Sequence, residues 1–297
     1  VGVSVTDVAI VRGATDARDA NMSRTRPRFP AVRIRRAVNS LARFWLLALV
    51  LILWELVAQA SSNVFFPPPS RIAEQFVDDW LAPTPSTAFL SEHFYATAMV
   101  SLKRLAAGWV LAAVIGIAVG VLLARSTVAA RMYGPVVRFW LAVPNAILIP
   151  IAVKVFGVTD AMNIFMIAFG TVWLIIVNTA DGVSTVDSSY LRSARSLHLG
   201  GVQLYSKVVI PAALPRITAG LRVSIGIGLI LMIVSEFFAT TAGLGYEVQL
   251  SQQTFQYTRM WSAFVLIAVI GLATNAAFAV VERRILHWQR REGLKEQ

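Results

Sequence analysis

Six apolar runs, each close to the ~20 residues that a helix needs to cross a hydrocarbon layer of about 30 Å, decide what this chain can become. They occupy about 44–60, 99–124, 135–157, 161–180, 217–239 and 260–281. A backbone inside lipid must satisfy its own polar groups, so runs of this length fold as membrane-spanning helices. Composition agrees. Of 297 residues, 57% are hydrophobic and only 14% charged, too few charges to cover the surface of a soluble domain of this size. The expected fold is all-α and polytopic, with six transmembrane helices and a short cytoplasmic helix between the fourth and fifth.

A net charge of +11 suits nucleic acid as well as a membrane surface, so the placement of the cations has to decide. With both termini inside, 22 of the 27 Lys and Arg fall on the cytoplasmic side. The outer loops keep only Arg71 and Arg259, while Lys103, Arg104 and Lys154 lie within spans. This is a strong positive-inside bias, and it puts both ends in the cytoplasm; the membrane expected is the plasma (inner) membrane. The bilayer is the expected partner, not nucleic acid.

The chain divides accordingly. Residues 1–40 read as a basic, largely disordered cytoplasmic tail, 41–63 as the first transmembrane helix, and 64–97 as an extracytoplasmic segment. In that segment Ile72, Phe76, Val77 and Trp80 outline a short amphipathic helix between proline-bounded turns. A core follows over 98–282, with its inner loop at 187–211, and a cytoplasmic tail at 283–297. Val1 is not a methionine, and Met22 begins a second candidate product. The sequence Ala58-Gln59-Ala60 after an apolar run imitates a signal-peptide cleavage site. The run exceeds the ~7–15 residues usual there, which favours an uncleaved helix.

Much chemistry is missing. Without cysteine there is no disulfide, thiolate catalysis or cysteine metal site. No Gly-Lys dipeptide occurs, so a P-loop ending in Gly-Lys-Ser/Thr is excluded. His93, His198 and His287 fall in an outer loop, the inner loop and the inner tail, too scattered for one metal site. No catalytic residue, metal or cofactor is expected in this chain. A secondary transporter needs ionisable groups near the bilayer midplane, yet those present, Glu55, Lys154, Arg104 and Glu236, lie near span ends. Glu55 and Lys154 read as snorkelling side chains. Arg104 and Glu236 lie about 9 and 6 Å deep at ~1.5 Å per residue, placed either to pair and steady the outer end of a pathway or to be solvated separately. Pro144 and Pro150 flank Asn145, which marks a broken helix lining a pathway or a plain proline kink. Gly116 and Gly120 have the spacing that lets helices approach closely.

The stretch Leu191–Pro215 is the long polar and proline-bearing interruption between the fourth and fifth spans. Asp187 or Ser188 caps a helix from Ser189, Gly200-Gly201 stops it, and a second piece runs Val202–Val209 until Pro211 and Pro215 end it. Leu191, Ala194, Leu197, His198 and Gly201 or Val202 recur at three-to-four spacing. That face fits a groove on a soluble partner, or lies on headgroups with Arg192, Arg195 and Lys207 as ordinary inner-face charges.

At Arg192-Ser193-Ala194-Arg195-Ser196-Leu197-His198-Leu199-Gly200, then Ile210-Pro211 and Ala213-Leu214-Pro215, the chain resembles a known family. The pattern is similar to the EAARSLGAS, hydrophobic-proline and ALP series in permease subunits of type I binding-protein-dependent ABC importers. The branch is the one that includes nitrate, alkanesulfonate and taurine systems. Further matches are PPPSRI at 67–72, Arg104 with Gly108, Val143-Pro144 through Ile149-Pro150, Phe156-Gly157, Ser235-Glu236 and Gly243-Leu244-Gly245-Tyr246, so the resemblance covers about 64–290.

The resemblance implies that Leu191, Arg192, Ser193, Ala194, Leu197, His198, Gly200, Gly201, Tyr205 and Pro211 form the coupling element that meets an ATPase. It also implies that Pro144, Asn145, Pro150, Arg104, Glu236, Gly243, Gly245 and Tyr246 serve the pathway and its gating. Implied partners are two P-loop ATPase subunits, which carry the ATP and Mg, a second permease chain in a homodimer, and an extracytoplasmic substrate-binding protein. The implied cargo is a small anion such as a sulfonate or nitrate. Two departures stand out: Arg192 replaces the family glutamate and His198 the family loop glycine. The alternative to an importer subunit is a secondary transporter or channel without an ATPase partner, and then a membrane enzyme.

Overall fold

The computed structural model describes residues 31–61, 63–82 and 88–287. The expected tail up to residue 30 and the last ten residues of the C-terminal tail lie outside the described residues. The chain divides after Leu56 into two compact units. The first contributes most of α1 (Ala31–Ser61), which begins inside the stretch expected as tail. Its apolar stretch, Trp45–Ser61, is shorter than the other membrane-length helices.

Among its described residues the second unit is built from helices joined by short loops, with one isolated antiparallel bridge between Leu81 and Leu90. Four helices are long and apolar enough to cross a membrane: α3 (Glu92–Arg125), α6 (Asp160–Ser184), a continuous run Gly201–Ala239, and α11 (Tyr257–Ile285). Between α3 and α6 the expected third span is not one rod. Its two arms, α4 (Thr127–Ala142) and α5 (Ile149–Phe156), meet at a 90° bend. Pro144 is extended there (φ −63°, ψ 109°), and a single 3₁₀ turn, Asn145–Leu148, follows. A proline ring removes a donor and blocks the helical conformation of the preceding residue. The break, not the kink, is the outcome. The described residues therefore hold four membrane-length helices, one bent pair and the shorter apolar stretch of α1.

Helix α6 is the centre of the bundle, because small residues on its neighbours let their backbones close onto it. On α3, Gly108, Ala112, Gly116 and Gly120 recur every fourth residue, so they share one face. A methyl added at Gly116 would lie 2.7 Å from the side chain of Ile175, and one at Gly120 2.6 Å from Thr179. Close approach replaces the hydrophobic effect as the driving force between helices in lipid. The spacing of Gly116 and Gly120 therefore has the packing role expected of it. From the other side Gly220 receives Asn178, and Gly182 receives Arg216.

Outside this core, α2 (Pro69–Trp80) starts on a proline suited to a first helical position. It buries Ile72 and Trp80, whereas Val77, expected on the same apolar face, is exposed. The indole of Trp80 donates to Ser262 of α11 at 2.7 Å and stacks on His93 at 4.9 Å. His93, expected in a loop, belongs to the first turn of α3, which begins earlier because Ser91 caps it by accepting from the Phe94 amide. Trp261 of α11 donates to the Phe65 carbonyl at 3.0 Å, tying the residues before α2 to the same helix.

Candidate functional site

The residues singled out by the sequence fall into three places. The first is the element after α6. Asp187 caps α7 (Ser188–Ser196) by accepting from the Ser189 amide at 2.7 Å. The backbone and side-chain hydrogen bonds of Ser189 hold its carboxyl below the usual range. Ala194 is buried, and Leu191 packs half-buried on the cluster of Val183, Val209, Ala213 and Ile217.

Two features differ from expectation. Gly200-Gly201 does not stop α7; the helix ends at Ser196, and Gly200 has an ordinary extended conformation (φ −65°). The stop is His198, at φ +52°. Its amide donates to Arg195 O at 2.9 Å and that of Leu199 to Ala194 O at 3.1 Å, the paired bonds of a Schellman turn, whose left-handed position favours glycine. His198 thus occupies the conformation for which the family pattern carries glycine.

Nor do Pro211 and Pro215 end the second piece. The chain runs from α8 (Gly201–Leu204) through a π turn, Tyr205–Val209, into α9 (Ile210–Ala239) without interruption. The wider π turn, closed by Ile210 N to Tyr205 O, accommodates the Pro211 ring, which an unbroken α-turn would bring against a carbonyl of the turn before it.

One consequence is a divided face. Leu191 and Ala194 point into the bundle, while Leu197 and Val202, beyond the helix end, are 72% and 85% exposed. Tyr190 on α7 is exposed as well. Arg192 and Ser193 are exposed, with Arg192 Nη1 donating to Ser188 Oγ at 2.8 Å. Tyr205 packs inward, and the Arg125 guanidinium sits 5.1 Å above its ring.

The second place is a buried charge network. Arg104 of α3 donates through Nη1 to Glu236 of α9 at 2.9 Å and to the Ala242 carbonyl at 2.7 Å. Its Nε donates to Asp160, the first residue of α6, at 2.8 Å. Glu236 is fully buried and also accepts from Ser101 Oγ at 2.7 Å and from the Gly245 amide at 3.1 Å. Ser101 Oγ in turn accepts from the Leu244 amide at 2.8 Å. Four segments are thereby tied together: α3, α6, α9 and the turn into α10 (Leu244–Gln253).

Gly243 makes that turn possible. It sits at φ +118°, and a Cβ there would fall 2.5 Å from the Glu236 carboxyl. Of the two alternatives for Arg104 and Glu236, the pair is the one present. Tyr246 follows on α10, half-buried. Ser101 and Asp160 were not among the expected site residues.

The third place is the bend. Asn145 packs on Gly170 of α6, where an added methyl would lie 3.2 Å from the amide. Its side-chain oxygen is buried without a donor among the described residues. Pro150 stands at the second position of α5, exposed.

Long apolar helices around a glycine-packed centre, a broken span and a cross-linked charge network define a multi-pass helical membrane protein. Solved structures agree on the fold: that of a bacterial ABC transporter involved in the import of the polysaccharide alginate superposes with TM-score 0.57 at 15% identity, over 84% of this chain and 99% of that one. The chain belongs to the family of binding-protein-dependent transport system inner membrane components, which matches residues 113–287. It is an ABC importer permease of the nitrate, sulfonate and taurine branch.

Its relatives include the bicarbonate transport system permease of Synechococcus elongatus, 30% identical over 80% of this chain and 86% of the relative. The taurine transport system permease of Escherichia coli is 27% identical over 82% and 87%. The nitrate import permease of Leptolyngbya laminosa is 26% identical over 85% and 89%. In this family ATP hydrolysis resides in partner ATPase subunits.

Proposed function

We propose that this chain is one of two identical transmembrane subunits of an ATP-driven importer. It receives a small oxyanion such as a sulfonate, nitrate or bicarbonate from an extracytoplasmic binding protein. The solute crosses between the two permeases along a route bordered by the Pro144–Asn145 bend. The α1 stretch, the bent pair and the four long helices are its six spans, and both termini are cytoplasmic. Arg104, Glu236, Gly243 and Gly245 hold the outer ends of α3, α6 and α9 in register as the bundle rocks.

Two ATPase subunits supply the work by gripping α7 and α8, one such element from each permease. The observation that carries this reading is the pairing of Leu197 and Val202, 72% and 85% exposed, on an element whose other apolar residues, Leu191 and Ala194, anchor it to the bundle. An element fixed on one side and apolar on the other transmits force between two bodies. Arg192, on its exposed surface, calls for an acidic residue in the ATPase groove.

The test is uptake and ATPase co-purification with Leu197→Asp and Val202→Asp. Both variants should reach the membrane yet lose the ATPase and transport. Retention of both activities would remove the basis of the proposal. The cargo is found by reconstituting the complex with its binding protein and identifying the anion that stimulates ATP hydrolysis.

A further inference from the structure

A groove of about 280 Å³ runs between α3, α9 and α11. Ile225, which lines it, and Leu231, which faces Gly170 beside the bend, stand about 120° apart on α9. The groove therefore opens on a different side of that helix from the bend. Leu102, Ala106, Trp109, Ala277 and Val281 line it too, and the two small alanines leave the hollow. Its polar groups are already matched: the Trp109 indole donates to Ser224 Oγ at 2.8 Å, and the Thr274 hydroxyl donates to the Ile270 carbonyl at 2.8 Å. Such a hollow suits hydrocarbon.

One end of the groove is cationic. Arg222 lies three residues before Ile225 and Arg284 three after Val281, so each continues a wall of the groove by one turn. The two helices run in opposite directions, and both turns lie at the same level. The pairing of Arg222 Nη1 with Glu282 at 3.3 Å fixes that level, because Glu282 directly follows the apolar run of α11. Thr274, at the other end of the groove, is about 12 Å away at ~1.5 Å per residue, so the hollow occupies a single leaflet. Arg222 is half exposed and Arg284 is exposed. Two arginines against one glutamate leave the rim positive. Arg283 points to the far side of α11.

We propose that this groove binds one anionic phospholipid of the inner leaflet, with an acyl chain in the hollow and the phosphate on Arg222 and Arg284. An arginine at headgroup level lays its stem along an apolar wall and turns its guanidinium to the phosphate. An anionic headgroup is favoured there by the charge of the rim, whereas a zwitterionic one brings its own cation against it. The site goes beyond the importer reading and rests on it only for the choice of leaflet.

The test is native mass spectrometry of the full complex, delipidated and then titrated with phosphatidylglycerol or phosphatidylcholine of identical acyl chains. Phosphatidylglycerol should bind once per permease chain and the zwitterionic lipid more weakly. Arg222→Gln and Arg284→Gln should each weaken it about 5-fold, and Arg283→Gln less. Glu282→Gln, which frees Arg222, should tighten it. Ala277→Trp fills the hollow and should abolish binding, whereas Ala276→Trp, exposed on the opposite side of α11, should not. If the first tryptophan variant does not assemble, Ala106→Trp across the groove carries the same expectation.

Equal binding of the two lipids would overturn the proposal, as would phosphatidylglycerol binding that survives both Ala277→Trp and Ala106→Trp. Separation of the permease chains by Ala277→Trp, with no lipid lost, would show that polypeptide covers the groove and overturn it equally. The leaflet is checked apart from the site: labelling of Arg283→Cys from outside intact cells by a membrane-impermeant thiol reagent would sink the orientation in the importer reading, and the lipid titration would stand on its own.

Discussion

Replacing Gly243 by alanine tests whether the turn before α10 and the buried Arg104–Glu236 pair form one structural device. Two costs arise. A residue with a Cβ at φ +118° is strained by about 1–3 kcal/mol. The added methyl also falls 2.5 Å from the Glu236 carboxyl, which must move. Glu236 would then give up Arg104 at 2.9 Å, Ser101 at 2.7 Å and the Gly245 amide at 3.1 Å. Breaking a buried pair on one side costs about 3–5 kcal/mol, so the two terms together reach roughly 4–8 kcal/mol. The upper part of that range assumes that no other rotamer of Glu236 recovers a partner.

The size alone does not identify the cause, but a double-mutant cycle does. In a Glu236→Ala background the carboxylate is gone and only the backbone cost of about 1–3 kcal/mol remains. The difference, a coupling energy near 3 kcal/mol or more, should appear in denaturant unfolding of the purified protein in lipid nanodiscs. If Gly243→Ala costs the same in both backgrounds, the carboxylate does not constrain that turn and the reasoning fails.

Three further outcomes can be checked. His198→Gly should relax the left-handed stop of α7 by about 1 kcal/mol, slowing amide exchange over residues 188–199; faster exchange would contradict the assignment of the strain. Gly116→Val should destabilise the contact between α3 and α6 by at least about 1–3 kcal/mol, because its new atoms enter the space of Ile175. Gly226→Ala, with nothing within 4 Å, should stay within about 0.5 kcal/mol; thermal unfolding of both variants decides. Burial pushes the Glu247 carboxyl of α10 up, but the hydrogen bond from His93 and the charge of Arg259 outweigh it and leave the group below its ordinary value of 4.5. Its contribution is then fully present above 4.5 and lost as pH falls through the lower folded value. Glu247→Gln should flatten that acid limb in a series of melting temperatures.

The membrane class was legible because apolar run length is a property of the chain alone, and so were the approximate limits of α3, α6, α9 and α11. The break at Pro144 was legible as a possibility, because a missing donor and a ring clash are local. Its sharpness was not, since that depends on how Asn145 seats against Gly170 of α6. The end of α7 misled for a related reason. Gly200-Gly201 is the stronger local stop, yet burial of Leu191 and Ala194 fixes the register of the helix. The turn then falls on His198, a residue that pays more than glycine for the same conformation.

The charge network marks a deeper limit. A charge placed within a span reveals by its cost that it needs a partner, and Arg104 and Glu236 could be paired on depth alone. Asp160 gave no such signal, because an acidic residue in the first turn of a helix is already accounted for by the helix dipole. Ser101 gave none either, since a hydroxyl in a transmembrane helix is usually satisfied by its own backbone. Both are recruited across the fold, Asp160 over a separation of 56 residues and Ser101 over 135. Need is thus written in the sequence and its satisfaction in the packing.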